Sequence, residues 1–323
     1  MIFIFLLLLP VAAVLHFMSG HIDVGFNDLV NSLFDFDIKN RDHIIAREVR
    51  IPRMFTAIIA GAGLSVAGLL MQTLFNNPLA GPYVLGINSG ASLFVAFSIM
   101  TGIPFLTSDL GIISNALIGA LVFGLIISLF SEMVRSQISL LLIGIMLGSF
   151  TGAIVSLLQV SSDASELKIF TLWSMGSLSR IQFDQIPLIS GVFLLGIAGA
   201  LFLIKPLNLL VLGQDQARLL GLNYKRTRFI IIAITAILIG LITAFCGPIA
   251  FVGLAVPNLV KILLKSQHHG LLIVSCAFIG GIFVLLCDAL IQSMENYMLI
   301  PINVLTSVIG APIVVLLILR KLR

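Results

Sequence analysis

The segment RIPRMFTAIIAGAGLSVAGLLMQTLFNNPLAGP, residues 50–82, sets the pattern for the whole chain. It begins with two arginines around a proline, continues as a long apolar run that contains glycines, and ends in an uncharged polar turn. Pro52 fixes its own φ angle and disfavours helical conformation at Ile51, so we expect a helix to begin about there. Pro78 and Pro82 should end it in the same way. The segment therefore predicts a membrane-spanning helix with one cationic end and one polar end.

The composition excludes a soluble domain with a polar shell. Of the 323 residues, 59% are hydrophobic and only 10% are charged, and the mean hydropathy is +1.17. A span needs about 20 apolar residues to cross a hydrocarbon core roughly 30 Å thick. Apolar blocks of this kind occur at residues 2–19, 54–75, 83–105, 110–130, 138–160, 186–204, 229–264, 271–292 and 297–319. We therefore expect an all-α polytopic membrane protein, with residues 1–323 as a single transmembrane domain.

The block at residues 229–264 is too long for one span, because a helix of this length measures about 54 Å at 1.5 Å per residue. It contains Gly247, Pro248 and Pro257. We interpret it as two spans, the second broken near Pro257, which gives about ten transmembrane helices. An even number places both termini on one side, and the loops of that side carry more lysine and arginine than the opposite loops. Positive loops stay in the cytoplasm, so both termini are expected to be cytoplasmic.

Motifs of catalytic and metal sites do not occur in the sequence. It has no G-x-x-x-x-G-K-[ST] loop for ATP phosphates, no H-E-x-x-H pair and no nucleophile elbow. The three cysteines lie in apolar blocks without the spacing of a zinc site. We expect no catalytic residue, metal site or cofactor in this chain. The net charge of +4 is interpreted as a property of cytoplasmic loops rather than of nucleic-acid binding.

Five segments, taken in order, resemble one family of transport proteins. They are residues 50–82, LWSMGSL at 172–178, LGQDQARLLGL at 212–222, GPIAFVGLAVP at 247–257 and PINVLTSVIGAP at 301–312. Together they are similar to the FecCD-type permease subunits of ABC importers for iron siderophores, haem and cobalamin. Five ordered segments make the resemblance far more specific than one short motif.

The resemblance implies an ATP-driven importer of which this chain is one subunit. Its partners would be a second permease subunit, identical or a close paralogue, two ABC ATPase subunits that bind ATP and Mg, and an external substrate-binding protein. The chain would be a multi-pass protein of the bacterial cytoplasmic (inner) membrane, surrounded by lipid and without a nucleic-acid partner. We expect ferric siderophores as the cargo, with haem or cobalamin as alternatives.

An ion-coupled secondary carrier is the alternative from another functional class. Such a carrier needs ionisable residues inside the membrane to couple transport to an ion gradient. Asp288 is the only carboxylate within a predicted span. An unpaired charge there is costly and marks a functional candidate. Because the resemblance places Asp at this position in permeases of different cargo, we favour a buried, hydrogen-bonded structural role.

Arg50 and Arg53 stand at the outer mouth of the first quoted span. Two arginines three residues apart present bidentate donors to carboxylates. By the resemblance, they would dock acidic residues on the lobes of the substrate-binding protein. The alternative is that both anchor the helix by reaching lipid headgroups. A further arginine that some relatives carry is Gln292 here, which departs from the docking pattern.

Three residues are candidates for gates. Asn77 and Leu79 lie in the polar turn at the inner membrane face, where non-helical backbone must be buried in protein or line water. By the resemblance, they narrow the cytoplasmic end of the translocation path. Trp173, the only tryptophan, is interpreted first as a residue of the interfacial aromatic belt. Its similarity to the outer short helix of the family gives an external gate as the second interpretation.

The cytoplasmic loop at residues 205–228 is too polar to span the membrane and too short to fold alone, so it should dock on a partner. The resemblance assigns Gly213, Ala217, Leu220 and Gly221 to the helices that couple a permease to its ATPase. The alternative is an amphipathic loop that lies on the membrane surface.

Several positions depart from the family pattern. Asn258, Leu299 and Asn303 stand where relatives often have His, Glu and Gly. His268 and His269 replace part of an Asp-His-Arg sequence, and we interpret both as solvated loop residues.

Overall fold

The computed structural model describes residues 2–20, 22, 24–81, 86–100, 108–134, 136–295 and 297–321. Within them the chain consists of helices joined by turns, without β-strands. The helices are α1 Ile2–Met18, α2 Phe26–Phe34, α3 Arg41–Ile44, a π-helical segment Ile45–Arg50, α4 Ile51–Leu74, α5 Ile87–Met100, α6 Asp109–Met133, α7 Gln137–Val160, α8 Ala164–Ser174, a 3₁₀ turn Phe183–Gln185, α9 Ile186–Phe202, α10 Ile204–Leu210, α11 Gln214–Leu219, α12 Tyr224–Cys246, α13 Val252–Leu264, α14 His269–Met294 and α15 Ile302–Lys321. Pro82 and both ends of the predicted block 83–105 lie outside the described residues.

The helices agree with a multi-pass membrane protein. Within the described ranges, six helical stretches are long and apolar enough to cross a membrane, and four shorter apolar helices accompany them. The long stretches contain α4, α6, α7, α9, α12 and α14, and the short ones are α1, α5, α13 and α15. The predicted all-helical, polytopic fold is thus confirmed. The count of ten spans and the cytoplasmic position of both termini stay predictions.

Helix α4 is the centre of the bundle. Every residue from Ile59 to Leu74 is buried, and α14, α12, α13 and α9 pack around it. A helix that is apolar on all sides is stable only when other helices or lipid surround it. The segment that organises the sequence is therefore also the helix that organises the fold.

Glycines allow the closest helix crossings, at two points of α4. A Cβ atom built on Gly61 would lie 2.0 Å from the carbonyl oxygen of Gly280 in α14, and one on Gly68 would lie 1.7 Å from that of Gly253 in α13. Without side chains at these points, the backbones come close enough for Cα–H···O contacts. The small residues of α4 therefore serve helix packing.

The helix does not begin at Ile51 as predicted. It continues without interruption from Arg41 through the π-helical segment and past Pro52 to Leu74. A π-helical turn widens the hydrogen-bond ladder, so the turn before Pro52 absorbs the missing N–H and the bulk of the ring.

The break in the long predicted block lies before Pro257. Helix α12 ends at Cys246, α13 begins at Val252, and α13 runs through Pro257 without interruption. The prediction of a span broken near Pro257 was therefore wrong. Pro257 only leaves the carbonyl of Gly253 without its usual helical donor, and that carbonyl is the one packed against Gly68. The close approach of α4 gives the freed oxygen Cα–H donors.

Residues 247–251 form the break, and distant parts of the chain satisfy their polar backbone groups. Gly247 has a φ of +73°, and a Cβ there would lie 2.4 Å from the carbonyl oxygen of Trp173. Ser177 N–H donates to the carbonyl of Cys246 at 2.7 Å, and the side-chain oxygen of Asn303 accepts from Ala250 N–H at 3.0 Å. Asn303, a departure from the family pattern, thus replaces solvent as a partner at the break.

Candidate functional site

The last turns of α1 and α14 and the first turn of α4 share one buried polar cluster around Asp288, at the ends predicted to face outward. Arg53 donates through Nε to Asp288 Oδ2 at 2.8 Å and through Nη2 to Oδ1 at 3.0 Å. His16 Nε2 lies 2.7 Å from Oδ2, and Gln292 Nε2 donates to the same oxygen at 3.1 Å. Asp288 is therefore a paired, fully hydrogen-bonded carboxylate that ties three helices together. Within the described residues, this cluster brings together residues that are 272 positions apart in the chain.

The two arginines predicted to dock the binding protein are both turned inward. Arg50 is only 5% exposed, donates to the carbonyls of Phe17 and Ile22 and lies over the ring of Phe17. The side chain of Arg53 is 15% exposed, and its Nη1 is 3.9 Å from Glu295 in addition to the pair with Asp288. In this conformation, neither guanidinium extends freely into solvent. Their docking role stays a prediction.

A cavity of about 390 Å³ opens beside this cluster. Its lining includes Arg53, Asp288 and Glu295 on one side and Ser177 and Arg180 on the other. The lining thus carries two cations and two carboxylates, whose charges balance, among apolar residues such as Leu178 and Ile291. Leu299, where relatives often have Glu, also lines it.

Trp173 does not lie in an aromatic belt. It is 1% exposed and packs against Phe170 with ring centroids 6.1 Å apart. The turn that follows it is bonded through Ser177 to the carbonyl of Cys246 at the end of α12, and through Met175 to α15, where Asn303 N–H donates to the Met175 carbonyl at 3.4 Å. The first interpretation of Trp173 was therefore wrong, and the external gate stays a prediction.

Asn77 and Leu79 lie in the inner-face turn, which we define as residues 75–81. Asn77 N–H donates to the carbonyl of Gln72 at 3.1 Å, and Asn77 Oδ1 accepts from Leu79 N–H at 2.9 Å. Two residues on α13 bond this region from one side, one to the turn itself and one to the end of α4. Asn258 Nδ2 donates to the carbonyl of Pro78 at 2.8 Å, and Lys261 Nζ donates to Gln72 Oε1 at 3.0 Å. The amide of Asn258 thus binds the predicted gate where relatives often have His.

The predicted coupling residues belong to the coupling segment, which we define as residues 204–222. Gly213 and Gly221 lie on either side of α11 and have φ angles of +100° and +88°. Positive φ angles of this kind favour glycine. Ala217 is fully buried, whereas Leu219 and Leu220 are 88% and 59% exposed. The segment therefore presents an apolar face that the described part of the chain leaves uncovered.

His269 was wrongly interpreted as a solvated loop residue. It is 1% exposed and is the first residue of α14. Its ring lies between Asn208 of α10 and Thr73 of α4, whereas the neighbouring His268 is exposed. Sequence reasoning missed this contact because the partners are 61 and 196 residues away.

Within the described ranges, no group of three or more His, Cys, Asp or Glu side chains could hold a metal ion. The three cysteines are free and buried.

Comparisons with known proteins agree with one another. The model of the FecCD transport family matches residues 6–320. The hemin transport system permease HmuU of Yersinia pestis is 37% identical over 276 residues, which are 84% of this chain and 82% of HmuU. The iron-uptake system permease FeuB of Bacillus subtilis is 33% identical over 319 residues, 97% of this chain and 93% of FeuB.

A solved structure gives the same answer for the fold. It is described as an inward-facing conformation of a proposed metal-chelate type ABC transporter, with a TM-score of 0.88, 30% identity and coverage of 99% of this chain and 98% of that one. The family match spans nearly the whole sequence, the relatives are permease subunits, and the helices described above form a membrane bundle. The chain therefore belongs to the FecCD transport family, as a multi-pass permease component of an ABC importer.

Proposed function

We propose that this chain forms half of the translocation path of an ATP-driven importer of iron chelates, with ferric siderophores as the cargo, in a bacterial cytoplasmic membrane. A second permease subunit, identical or closely related, would form the other half. Two ABC ATPase subunits would bind ATP and Mg, and a substrate-binding protein would deliver the cargo from outside. Relatives named for hemin and for iron uptake support an iron-containing cargo. Haem and cobalamin stay the alternatives.

One observation carries the ATP-driven part of this proposal. The coupling segment exposes Leu219 and Leu220 on a helix that is too short to be stable alone. Adjacent exposed apolar side chains on a polar loop support a protein contact, with contact to the membrane surface as the alternative. An ATPase subunit that docks there would cover both leucines and move with the segment.

The secondary-carrier alternative loses support at Asp288. Both carboxylate oxygens accept hydrogen bonds, and the guanidinium of Arg53 neutralises the charge. A coupling carboxylate must exchange its proton or ion during transport, which this bidentate ion pair opposes.

Transport by the reconstituted complex tests the function. The permease, its ATPase and its binding protein in proteoliposomes should take up ⁵⁵Fe-labelled ferric siderophore only when ATP is present. Haemin and cyanocobalamin, added separately to the same vesicles, test the alternative cargoes. Uptake by the permease alone, without ATP, would contradict the proposal and favour a secondary carrier.

Replacement of Leu220 by aspartate tests ATPase docking. The change puts a charge into a contact that the proposal makes apolar, and such central contacts contribute at least about 2 kcal/mol, or roughly thirtyfold in Kd. We expect the ATPase to be lost during co-purification and the permease to keep its thermal stability, since Leu220 is exposed in the isolated chain. Leu167→Asp on the outer helix α8 is the matched control and should retain the ATPase. Normal co-purification of Leu220→Asp would refute docking at this face.

A further inference from the structure

Three polar side chains connect the coupling segment to the inner-face turn. Asn208 lies in α10, His269 begins α14, and Thr73 lies in the last turn of α4. Asn208 Oδ1 is 2.8 Å from the backbone nitrogen of His269 and 3.0 Å from its Nδ1. On the other side of the ring, Nε2 is 2.8 Å from Thr73 Oγ1. The imidazole thus bridges two helices and holds the start of a third.

The side-chain oxygen of Asn208 determines which ring nitrogen of His269 carries the proton. Because Asn208 Oδ1 accepts the backbone N–H of His269, the same oxygen can only accept from the ring, so Nδ1 carries a proton. In the neutral imidazole, Nε2 then accepts from the hydroxyl of Thr73, whose single proton also lies within reach of the Leu69 carbonyl at 2.9 Å and is shared between the two acceptors. Both ring nitrogens have partners in this arrangement. Removal of either partner leaves a polar atom in the interior without a hydrogen bond.

The backbone of Thr73 holds the start of the inner-face turn by a hydrogen bond. Its carbonyl accepts Asn76 N–H at 3.2 Å, and the carbonyl of the preceding Gln72 accepts Asn77 N–H at 3.1 Å. A displacement of Thr73 therefore displaces the turn that carries Asn77 and Leu79. On its other side the turn is bonded to α13 through Asn258. The turn is held between α13 and the bridge that leads to α10.

Helix α10 is well placed to transmit a movement of the coupling segment. Leu207 and Leu210 are buried and fix α10 to the bundle, where it packs against α4 and α14. The exposed pair Leu219 and Leu220 follows within the same segment. A force applied at α11 therefore reaches Asn208 through one short turn of chain.

We propose that His269 is a positioning residue that transmits movement of the coupling segment to the inner-face turn, through Asn208 on one side of its ring and Thr73 on the other. This inference rests on the proposed function, because the movement at the coupling segment comes from the ATPase. Within that function it names the physical connection between nucleotide binding and the cytoplasmic end of the path. Coupling between two sites requires an element that both of them bias, and this bridge supplies it.

The test uses the permease assembled with its ATPase subunits in proteoliposomes. Leu79→Cys, at an exposed position of the turn, reports the state of the turn by its rate of maleimide labelling, and the three native cysteines are buried. We expect ATP with vanadate to change the labelling rate about tenfold when His269 is present, as for a typical coupling free energy. His269→Phe keeps a ring of similar size but lacks both nitrogens, and should reduce the change to less than about twofold.

Neighbouring variants separate a connecting role from a structural one. His268→Phe alters the exposed histidine next in sequence and should leave the nucleotide response unchanged. Thr73→Val preserves the shape of the side chain but removes the hydroxyl, so it should reduce the nucleotide response of the labelling rate as His269→Phe does. The double variant Thr73→Val, His269→Phe should show no further loss of this response. Basal ATP hydrolysis should persist in all of them. The inference would be overturned if the His269→Phe complex assembles and keeps the full nucleotide response. If that complex does not assemble, a full response in the Thr73→Val complex would overturn it.

The two hypotheses fail in different ways. If the wild-type complex shows no ATP-dependent uptake and no nucleotide response at Leu79→Cys, the proposed function is wrong, and the inference falls with it. If the wild-type complex transports and both variants keep its ratio of cargo moved to ATP hydrolysed, only the role of His269 is wrong.

Discussion

Replacement of Gly61 by alanine is expected to separate α4 from α14 and to destabilise the whole bundle. The new Cβ would lie 2.0 Å from the carbonyl oxygen of Gly280 and 2.5 Å from its carbon, so backbone rather than a flexible side chain must move. Relief requires a shift on the order of 1 Å between two central helices, which removes dispersion contacts along the crossing. We expect a loss of about 3 kcal/mol or more in stability. Thermal unfolding in detergent, followed with a thiol-reactive dye on the buried cysteines, should show a Tm lower by roughly 5 °C or more.

Other glycines of this chain provide the matched control. Gly152 in α7 and Gly191 in α9 have no neighbouring atom of the described chain within 4 Å of an added Cβ. Alanine raises helix propensity by about 1 kcal/mol over glycine, so Gly152→Ala and Gly191→Ala should leave the Tm unchanged or raise it. A Gly61→Ala protein with the Tm of the wild type would show that α4 and α14 do not pack as described.

The sequence predicts that glycines of α4 serve packing, but it does not show which helices they contact. Gly280 is 219 positions from Gly61, and Gly253 is 185 positions from Gly68. Small residues indicate a close approach in lipid, whereas the partner depends on how the whole bundle is arranged. Composition and periodicity therefore predict that helices exist and that they span the membrane, and contacts between distant helices need the structure.

The rule that proline ends a helix gave the least accurate predictions of helix boundaries in this chain. Pro52 and Pro257 were each expected to limit a helix, and helices continue through both. In water, the missing hydrogen bond and the clash of the ring terminate a helix. In a membrane, an ended helix would expose more polar backbone than a proline removes, so the chain keeps the helix and satisfies the freed carbonyl locally.

The polar cluster around Asp288 could have been predicted by comparing how deep each polar residue lies in the membrane. His16, Arg53 and Asp288 each lie near the outer end of a predicted span, so the predicted topology already places them at one level of the membrane. Arg53 and Asp288 were each interpreted alone, which left Asp288 without a named partner. Charged groups inside a membrane pair with one another, so matching their depths is the available sequence signal.

Replacement of Asp288 by asparagine is expected to destabilise the outer half of the bundle. Arg53 would keep its charge, lose its bidentate carboxylate and retain Glu295 at 3.9 Å. An ion pair that loses one partner in the interior typically costs 3–5 kcal/mol, and partial compensation by Glu295 reduces this to roughly 3 kcal/mol. The Tm in detergent should fall by an amount similar to that of Gly61→Ala. His16 and Gln292 can still donate to the amide oxygen, whereas the amide nitrogen replaces Oδ1 opposite Nη2 of Arg53, so the loss combines the missing charge with one missing acceptor.

The double variant Arg53→Met, Asp288→Asn separates a structural ion pair from a docking surface. Removing both charges leaves no uncompensated ion, so most of the lost stability should return. If the stability lost in the double variant equals the sum of the losses in the two single variants, the pair is not coupled.

The affinity for the binding protein gives the second measurement. If Arg53 also docks acidic residues, Asp288→Asn should release it and strengthen docking while it lowers the Tm, whereas Arg53→Met should weaken docking. Equal affinity in both variants would restrict Arg53 to its role inside the bundle and move docking to other cations of the outer face.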